Sequence, residues 1–348
     1  MRVLTFGRWL GVMALLGLIL AFALLAGIEF GPTQGVELTQ KLSFWEARVV
    51  TVKALAGQMP DTPTEAIVRK IRLPRVLLGA LVGAGLAVAG GTFQAMLRNP
   101  LADPFILGVS GGASVGAVIA MVFRFQLYGA TLPAVPLFAF VGALGTMLLV
   151  YWLARARGRL QPYVLLMVGV IVNSVLGAVI MYLSTIAAFA ESNRVFYWLM
   201  GGIREATTFE QIGVTALFVL VGGAVLIWRA SEFNLLSLGE ETSQQLGVNV
   251  ERTKLIGFVG ASLVVGAVVS MSGPIGFVGL IVPHLVRLIW GPDHRLLLPA
   301  CLLAGAIFLV LTDTAARVLN VPVGVVTAFC GGPFFLVLLK RQQRKAGA

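Results

Sequence analysis

Long uncharged apolar stretches, separated by short polar connections, set the pattern of this sequence. A helix needs about 20 apolar residues to cross the hydrocarbon core of a bilayer. On that criterion the pattern predicts an all-α polytopic membrane protein with about ten transmembrane helices. The predicted spans are 9–28, 76–97, 104–123, 132–154, 162–190, 211–228, 255–272, 274–290, 296–314 and 321–339.

The composition fits a membrane-embedded chain rather than a soluble domain. Of the 348 residues, 58% are hydrophobic and 12% are charged, whereas soluble domains carry about 25% charged residues. A net charge of +11 would favour nucleic-acid binding in a soluble protein, but here the basic residues lie at the ends of apolar spans. We therefore predict a single transmembrane domain over residues 1–348, in contact with lipid and without a nucleic-acid partner.

The distribution of Lys and Arg predicts the orientation, because cytoplasmic loops carry an excess of both. The first span follows Arg2 and Arg8 and is longer than a signal-peptide core of about 7–15 residues. With the N-terminus in the cytoplasm, most short basic loops and the C-terminal KRQQRK lie on that same side. The longest outer segment is then 29–75, in which residues 42–56 are predicted to form an amphipathic helix on the membrane surface, with Trp45 as its anchor.

Charged residues inside spans are expensive in a bilayer and usually functional, and this sequence has few of them. Asp103 is predicted at an inner elbow and Asp313 near the outer end of the ninth span. The sequence contains no chain of carboxylates suited to proton or sodium coupling and no G-x-x-x-x-G-K-[ST] nucleotide loop. An ion-coupled secondary carrier is therefore disfavoured, and any energy has to come from another subunit.

Residues for catalysis or metal binding are equally scarce. The two histidines, His284 and His294, are both predicted at the inner face, where His284 caps or packs. Cys301 and Cys330 lie in apolar stretches and are expected to be unpaired packing residues. The sequence shows no Ser/His/Asp arrangement and no Cys/His grouping with zinc-site spacing. We predict no enzyme activity, no metal site and no bound cofactor, and a membrane enzyme is the disfavoured alternative.

The largest predicted inner loop, 229–254, contains a helix signal. Ser237 and Glu240 have the S-x-x-E spacing of a capping box, and Gly247 is a favourable helix stop. These signals predict a short cytoplasmic helix over Leu238–Leu246. A docking surface for a cytoplasmic partner and a bare surface helix are both compatible with these residues.

A helical hairpin over residues 72–116 is rich in small residues. Gly79 and Gly83, like Gly108 and Gly112, have the spacing that lets helix backbones approach closely. Two halves of five spans each would form an inverted repeat, because five is odd. The segments at 79–91 and 257–273 are faintly similar, which fits such a repeat.

Several blocks of this sequence, in this order, resemble the permease subunits of type II ABC importers, which take up iron-siderophores, heme and cobalamin. The resemblance covers nearly the whole chain, and the number of matching blocks makes it specific. The blocks include RLPR at 72–75, RNPLADP at 98–104, LGVSGGA at 107–113, YWLMGG at 197–202, SLGEETSQQLGV at 237–248, GPIGFVGLIVPHLVR at 273–287 and PVGVVTAFCGGPFF at 322–335.

The resemblance implies a particular assembly. Such permeases have ten spans and form a homodimer whose pathway follows the two-fold axis and is lined by the long fifth span. Two cytoplasmic ATPase subunits would hydrolyse ATP, and one periplasmic or surface-tethered solute-binding protein would deliver the cargo. The chain itself would bind no cofactor and would lie in the bacterial inner membrane with both termini in the cytoplasm.

The resemblance also implies roles for individual residues at the two membrane faces. Arg72 and Arg75 of RLPR, together with Arg317, would meet acidic residues of the binding protein. Contact with lipid headgroups is the alternative role for these arginines. At the inner face, Asn99 and Leu101 of the elbow would form part of a cytoplasmic gate.

The second half of that gate precedes the fifth span, where this chain reads Gln161-Pro162-Tyr163. We assign Pro162 and Tyr163 to the gate. A cobalamin member of the family carries small hydroxylated residues here, so this departure counts against cobalamin as the cargo.

The predicted helix in the 229–254 loop resembles the coupling helix that fits a groove on the ATPase. Glu240 and Gln244 are one turn apart and share a face. The residues implied in coupling are Leu238, Gly239, Glu240, Gln244, Leu246 and Gly247.

The sequence as a whole therefore predicts the permease subunit of an ATP-driven importer that works by alternating access. An iron chelate, either a siderophore complex or heme, is the first candidate cargo. Cobalamin is the second.

Overall fold

The fold comes from a computed structural model that describes residues 4–29, 49, 66–127, 133–156, 159–203 and 207–346. The predicted surface helix over 42–56 falls almost entirely outside these residues. The helices are α1 (Phe6–Glu29), α2 (Leu73–Met96), α3 (Val109–Val122), α4 (Ala134–Ala154), α5 (Pro162–Ile186), α6 (Phe189–Leu199), α7 (Phe209–Trp228), α8 (Ala230–Leu236), α9 (Glu240–Gln245), α10 (Val250–Ser272), α11 (Val278–Trp290), α12 (His294–Leu319) and α13 (Val323–Ala346).

Three short elements complete the described fold. A π-helical turn, Val68–Arg72, leads directly into α2, and a 3₁₀ turn, Pro104–Leu107, precedes α3. The two-residue strands β1 (Arg155–Ala156) and β2 (Arg159–Leu160) pair antiparallel immediately before α5.

Helix length and apolarity confirm the predicted all-α membrane architecture. Among the described residues, seven helices are long and apolar enough to cross a membrane, and α3, α11 and the first part of α13 are shorter apolar helices. The predicted fifth span, 162–190, is too long, because α5 ends at Ile186 and α6 starts separately at Phe189. The polar residues Glu191 and Arg194 in α6 explain the break, since charged side chains are unfavourable in hydrocarbon.

Small residues let the central helix α2 pack closely against its neighbours. A Cβ atom on Gly83 would lie 2.1 Å from the carbonyl oxygen of Gly305 in α12, and one on Gly90 would lie 1.9 Å from that of Gly279 in α11. The predicted close approach is thus found at Gly83, whereas a Cβ atom on Gly79 would meet only the Ile203 side chain, 4.0 Å away. The inverted repeat of two five-helix halves stays a prediction.

Three chain segments meet beside the C-terminal ends of α6 and α10 and the N-terminal end of α13. The amide of Gly202 donates to the carbonyl of Ser272 over 2.8 Å, and the amide of Gly324 donates to the carbonyl of Gly201 over 3.2 Å. Gly201 has a φ of 71°, and a Cβ there would lie 2.2 Å from the carbonyl oxygen of Pro274. Close backbone contact between three chain segments thus explains the glycines of three sequence blocks.

Ion pairs lie at both ends of the helical bundle. Arg98 pairs with Glu240 over 3.5 Å at one end, and Arg124 pairs with Glu191 over 2.8 Å at the other. We call the first the elbow end; it comprises residues 97–104, the hairpin 155–160, the segment 229–249 and the turn at 291–293. The opposite end comprises the C-terminal parts of α1, α3 and α12, the N-terminal part of α2, and α6.

Candidate coupling and gating site

The elbow between α2 and α3 is a hydrogen-bonded turn. The Asn99 side-chain oxygen accepts a hydrogen bond from the amide of Leu101 over 2.9 Å, and the Asn99 amide donates to the carbonyl of Gln94 over 3.2 Å. Arg98 reaches the left-handed region with a φ of 50°. An asparagine side chain that bonds the backbone two residues ahead stabilises such a turn, so Asn99 has a conformational role in addition to its predicted place in the gate.

Asp103 fixes the second half of the elbow. Its Oδ1 accepts a hydrogen bond from the amide of Phe105 over 2.8 Å and so caps the 3₁₀ turn. Burial raises the pKa of Asp103 to about 6, against the opposing effect of the Phe105 hydrogen bond. The carboxyl group that the sequence places at the elbow thus shapes the backbone there.

The elbow packs directly against the middle of α5. Asn173 Nδ2 donates to the carbonyl of Phe105 over 2.7 Å, and a Cβ on Gly169 would lie only 2.4 Å from the carbonyl oxygen of Ile106. A Cβ on Gly111 of α3 would in turn lie 2.4 Å from Asn173 Oδ1. One asparagine and two glycines therefore couple the position of α5 to that of the elbow.

The first turn of α5 contains the other predicted gate residues. Pro162 occupies the first helical position, where its fixed φ and missing N–H are compatible with a helix start. Tyr163 is 72% exposed. Among the described residues, no hydrogen bond or ion pair joins Tyr163 to Asn99 or Leu101, so a gate formed by these residues within one chain stays a prediction.

One face of α5 is apolar and exposed along its whole length. A lipid-facing helix and a helix facing a second copy of the chain both have this appearance, because hydrocarbon and an apolar interface accept the same side chains. Its large exposed residues are Tyr163, Met167, Val170, Ile171, Val175, Val179, Met181, Tyr182 and Ile186.

The predicted helix in the 229–254 loop exists, but its bounds and its cap differ from the prediction. The helix α9 covers Glu240–Gln245 rather than Leu238–Leu246, and Gly239, with a φ of 118°, stands at its N-cap. The predicted capping box of Ser237 and Glu240 is wrong. Ser237 instead ends α8, and its hydroxyl donates to the carbonyl of Asn234 over 2.6 Å.

The physical reason for this correction is that both members of the predicted box have other partners. Glu240 turns towards Lys254 and Arg98, which leaves the box without its carboxylate. The helix stop at Gly247 is confirmed: it has a φ of 85°, and its amide donates to the carbonyl of Gln244 over 3.0 Å.

The outward surface of α9 and its flanks is available for a partner. Leu238 and Leu246 are 62% and 56% exposed, and Gln244 is also exposed. Ser243 faces inward, where its hydroxyl donates to the carbonyl of Leu235 over 2.8 Å. A short helix that is anchored on one side and presents two exposed leucines on the other has the features of a docking element.

A buried lysine connects α9 to the rest of the elbow end. Lys254, in the first turns of α10, has a side chain that is 2% exposed. Its Nζ donates to Glu240 Oε2 over 2.8 Å, to Glu251 Oε1 over 3.4 Å and to the carbonyl oxygen of Leu160 over 2.8 Å. All three ammonium donors of the lysine are thus used, which is what a buried charge requires. We call Lys254, Glu240, Glu251 and Arg98 the lysine cluster.

At the opposite end, the three predicted docking arginines lie close together. Arg75 pairs with Asp313 over 3.0 Å, and Arg317 pairs with the same carboxylate over 3.1 Å. Arg72 donates to the backbone carbonyls of Ile28 and Glu29 over 3.0 and 3.3 Å. Arg75, Asp313 and Arg317 form what we call the arginine–aspartate cluster, whose side chains are 14%, 3% and 7% exposed.

The two histidines have structural surroundings in this fold. His294 Nδ1 lies 2.7 Å from Asn234 Oδ1 at the elbow end. His284 packs edge-on against Phe334, with the ring centroids 6.0 Å apart, as the predicted packing role requires. Among the described residues, no group of His, Cys, Asp and Glu is arranged to hold a metal ion.

Lys254 and Asn173 were not identified as site residues from the sequence. A usable signal existed, because Lys254 follows Glu251 by one helical turn at the start of an apolar span, where an unpaired charge would be costly. No local signal indicates that the backbone of Leu160 is the third partner.

Helix length and apolarity define a multi-pass membrane protein. The family model of the FecCD transport family matches residues 16–341. The chain belongs to this family.

Named relatives agree with that assignment. The chain is 45% identical over 305 residues to the cobalamin import system permease protein BtuC of Halobacterium salinarum, with 87% of this chain and 81% of the relative covered. It is 39% identical over 287 residues to the hemin transport system permease protein HmuU of Yersinia pestis, with 79% and 83% covered.

A solved structure has the same fold. It is described as an inward-facing conformation of a metal-chelate type ABC transporter. The TM-score is 0.77 at 29% identity, and the match covers 95% of this chain and 99% of that one. The chain is thus similar to ABC transporter permeases, which have a transport role rather than a catalytic one.

Proposed function

We propose that this chain is the permease subunit of an ATP-driven importer for a bulky metal chelate. It works as a homodimer, with two ATPase subunits at the elbow end and one solute-binding protein at the opposite end. The elbow end faces the cytoplasm, as do both termini, and the chain lies as one domain in the bacterial inner membrane.

The observation that carries this proposal is the convergence of three elements at the elbow end. The exposed helix α9 contacts Lys254 through Glu240, the elbow contacts Glu240 through Arg98, and the hairpin before α5 contacts Lys254 through Leu160. A partner that moves α9 therefore acts on the predicted gate and on α5 together. Such an arrangement suits a permease that is driven by a separate motor.

The exposed face of α5 supports a pathway between two copies of the chain. This face is apolar and carries no charged residue between Pro162 and Ile186. In a homodimer with two such faces opposed, alternating movement of the elbow and of the first turn of α5 would open and close the pathway at Asn99, Leu101 and Tyr163.

The cargo is the finer part of the proposal. Identity to the cobalamin permease is 45%, and identity to the hemin permease is 39%. A vitamin B12 permease of Salmonella arizonae is 40% identical, so identity does not rank the two cargoes. An iron chelate stays the first candidate, and cobalamin is the second.

Reconstituted transport tests the function and the cargo at once. Proteoliposomes with the permease, its ATPase and its binding protein are loaded with ATP and supplied with radiolabelled cyanocobalamin or hemin. We expect vanadate-sensitive accumulation of one chelate and not of the other. Accumulation that follows an imposed ion gradient without ATP would contradict the proposal.

Docking of the ATPase on α9 is tested separately. Replacing exposed Leu246 with Asp places a charge in the proposed interface, where loss of one anchoring contact typically costs about 2 kcal/mol or more. We expect the ATPase to be lost from the purified complex. Leu127→Asp, at an exposed leucine of the opposite end, is the matched control and should leave copurification intact.

Docking of the binding protein is proposed to involve Arg72, Arg75 and Arg317. Arg75 and Arg317 also neutralise Asp313, so reversing their charge would disturb the fold as well as docking. Arg72→Gln is the clearer variant: we expect weaker capture of the binding protein by the assembled complex, with ATPase binding unchanged.

A further inference from the structure

The lysine cluster holds both backbone groups of a single residue. The carbonyl of Leu160 accepts from Lys254 Nζ over 2.8 Å, and its amide donates to Glu251 Oε2 over 2.8 Å. Leu160 is the last residue of the hairpin and lies two positions before the start of α5 at Pro162. The side chains of α10 therefore fix the chain at the point where it enters α5.

The same lysine links this point to α9. Glu240, the first residue of α9, uses one carboxylate oxygen for Lys254 and the other for Arg98 in the elbow. The path from α9 to the entry of α5 thus consists of two contacts, Glu240 to Lys254 and Lys254 to Leu160. The path from α9 to the elbow consists of one contact.

We infer that Lys254 is the positioning residue that transmits a displacement of α9 to the start of α5, with Glu240 and Glu251 as its two carboxylate partners. The inference rests on the proposed function, because it needs a motor that moves α9. It goes beyond that function by assigning the transmission to one side chain that lies neither on the docking surface nor in the gate.

Burial explains why the lysine can act in this way. A buried ammonium group cannot exchange its protein acceptors for water without a large penalty, so the Leu160 carbonyl follows Lys254 when the lysine moves. Glu240 and Glu251 are 29% and 34% exposed, and such carboxylates can be rehydrated at lower cost. Because Lys254 is equally buried against Glu240, it stays bound to both Leu160 and Glu240 when α9 moves, and the exposed parts of the carboxylates adapt to the new position at low cost.

The test uses a reporter at exposed Gln161, between Leu160 and Pro162. The full permease, with Cys330→Ser and Gln161→Cys, is assembled with its ATPase, and the rate of maleimide labelling is measured without nucleotide and after trapping with ATP and vanadate. We expect trapping to change the rate in this parent, and Lys254→Met to abolish the change while ATPase copurification and basal ATP hydrolysis remain.

A neighbouring buried hydrogen bond provides the matched control. Thr253 donates to Glu232 Oε2 over 2.5 Å and so ties α10 to α8 without contacting Leu160. Thr253→Val should keep the trapping-dependent change in labelling. A general loosening of this region would remove the change in both variants and would contradict the inference.

A second variant protects the test against misfolding of Lys254→Met. Glu240→Gln keeps the buried lysine and its contact with Leu160 but weakens the contact with α9, and we expect it to reduce the change in labelling. Unchanged labelling on trapping in the parent, or an equal change in the parent and in both cluster variants, would overturn the inference. Failure of the ATPase to copurify with the parent would instead overturn the proposed function.

Discussion

The two charged clusters of this protein differ in what they join. The arginine–aspartate cluster places two cations on one carboxylate between packed helices, and Asp313 and Arg317 are 2% and 9% exposed as whole residues. The lysine cluster surrounds one buried cation with half-exposed carboxylates, and it joins a surface helix, a turn and a hairpin. We expect burial of the carboxylates, rather than the number of ion pairs, to separate a fixed joint from an adjustable one.

The connections of the arginine–aspartate cluster explain its fixed character. Arg75 belongs to α2 and Asp313 and Arg317 to α12, while Arg317 Nη2 also donates to the carbonyl of Gly27 in α1 over 2.7 Å. The cluster therefore connects three membrane helices, α2 and α12 at the Asp313 carboxylate and α1 through Arg317. Removing any partner would leave a buried charge, and such losses are among the largest that single substitutions produce.

The largest expected effect comes from breaking the fixed joint. Asp313→Asn removes the carboxylate that Arg75 and Arg317 share, and removing one partner of a buried ion pair costs about 3–5 kcal/mol. We expect a strongly lowered thermal unfolding midpoint in detergent. Thr314→Val removes only one acceptor of Arg317 and should cost about 1 kcal/mol; equal losses in the two variants would contradict the assignment.

A smaller loss of stability is expected when the buried cation of the lysine cluster is removed. Lys254→Met leaves Glu240 with Arg98 as its remaining cation and leaves Glu251 with the Leu160 amide. Both carboxylates already reach water, so the cost should be about 1–3 kcal/mol. The thermal unfolding midpoint should therefore fall less than in Asp313→Asn. A loss as large as that of Asp313→Asn would mean that the two clusters do not differ as proposed.

Weakening the exposed side of the lysine cluster should lower the stability even less than Lys254→Met does. In Glu240→Gln the ion pairs with Lys254 and Arg98 are replaced by neutral contacts. The pair with Arg98 is open to solvent and contributes about 0–1 kcal/mol, and the buried Lys254 keeps Glu251 as its counter-charge. The unfolding midpoint should change little, and the small difference should shrink as the salt concentration rises. A salt-independent loss would indicate that Glu240 is effectively buried.

The smallest effect is expected at a more exposed pair of the same end. The guanidinium of Arg295, assisted by Asn234, lowers the pKa of Asp293 to about 2. Because the pKa of Asp293 is lower in the folded state, its stabilising effect is complete above the ordinary pKa of about 4. That effect is lost as the pH falls from there towards 2. After screening it amounts to at most about 1 kcal/mol. The difference in unfolding midpoint between the parent and Asp293→Asn should vanish over that range.

Much of the fold could be predicted because each span carries its own signal. The structure agrees with three predicted helix boundaries: the start of α5 at Pro162, the end of α10 at Ser272 and the helix stop at Gly247. The errors lie where tertiary contacts compete with a local motif. Glu240 satisfies the capping-box spacing, yet its carboxylate binds Lys254 instead. The predicted fifth span runs past Ile186 into the polar helix α6.

The candidate site was only partly predictable. The elbow residues Asn99 and Leu101 and the exposed leucines flanking α9 were identified from sequence blocks. Lys254 and Asn173 were not, because their importance lies in the backbone carbonyls of Leu160 and Phe105. A carbonyl has no sequence signature, since every residue has one.

The amino-acid sequence alone predicts a polytopic all-α chain and the apolar character of its membrane helices. A helix in lipid satisfies its backbone hydrogen bonds internally, so length and apolarity within each segment suffice for that prediction. The partners of the charges follow only from the folded chain, because those contacts join residues 94 positions apart for Lys254 and Leu160 and 238 apart for Arg75 and Asp313. A charge in a membrane protein needs a partner, and the fold alone brings a distant one within reach.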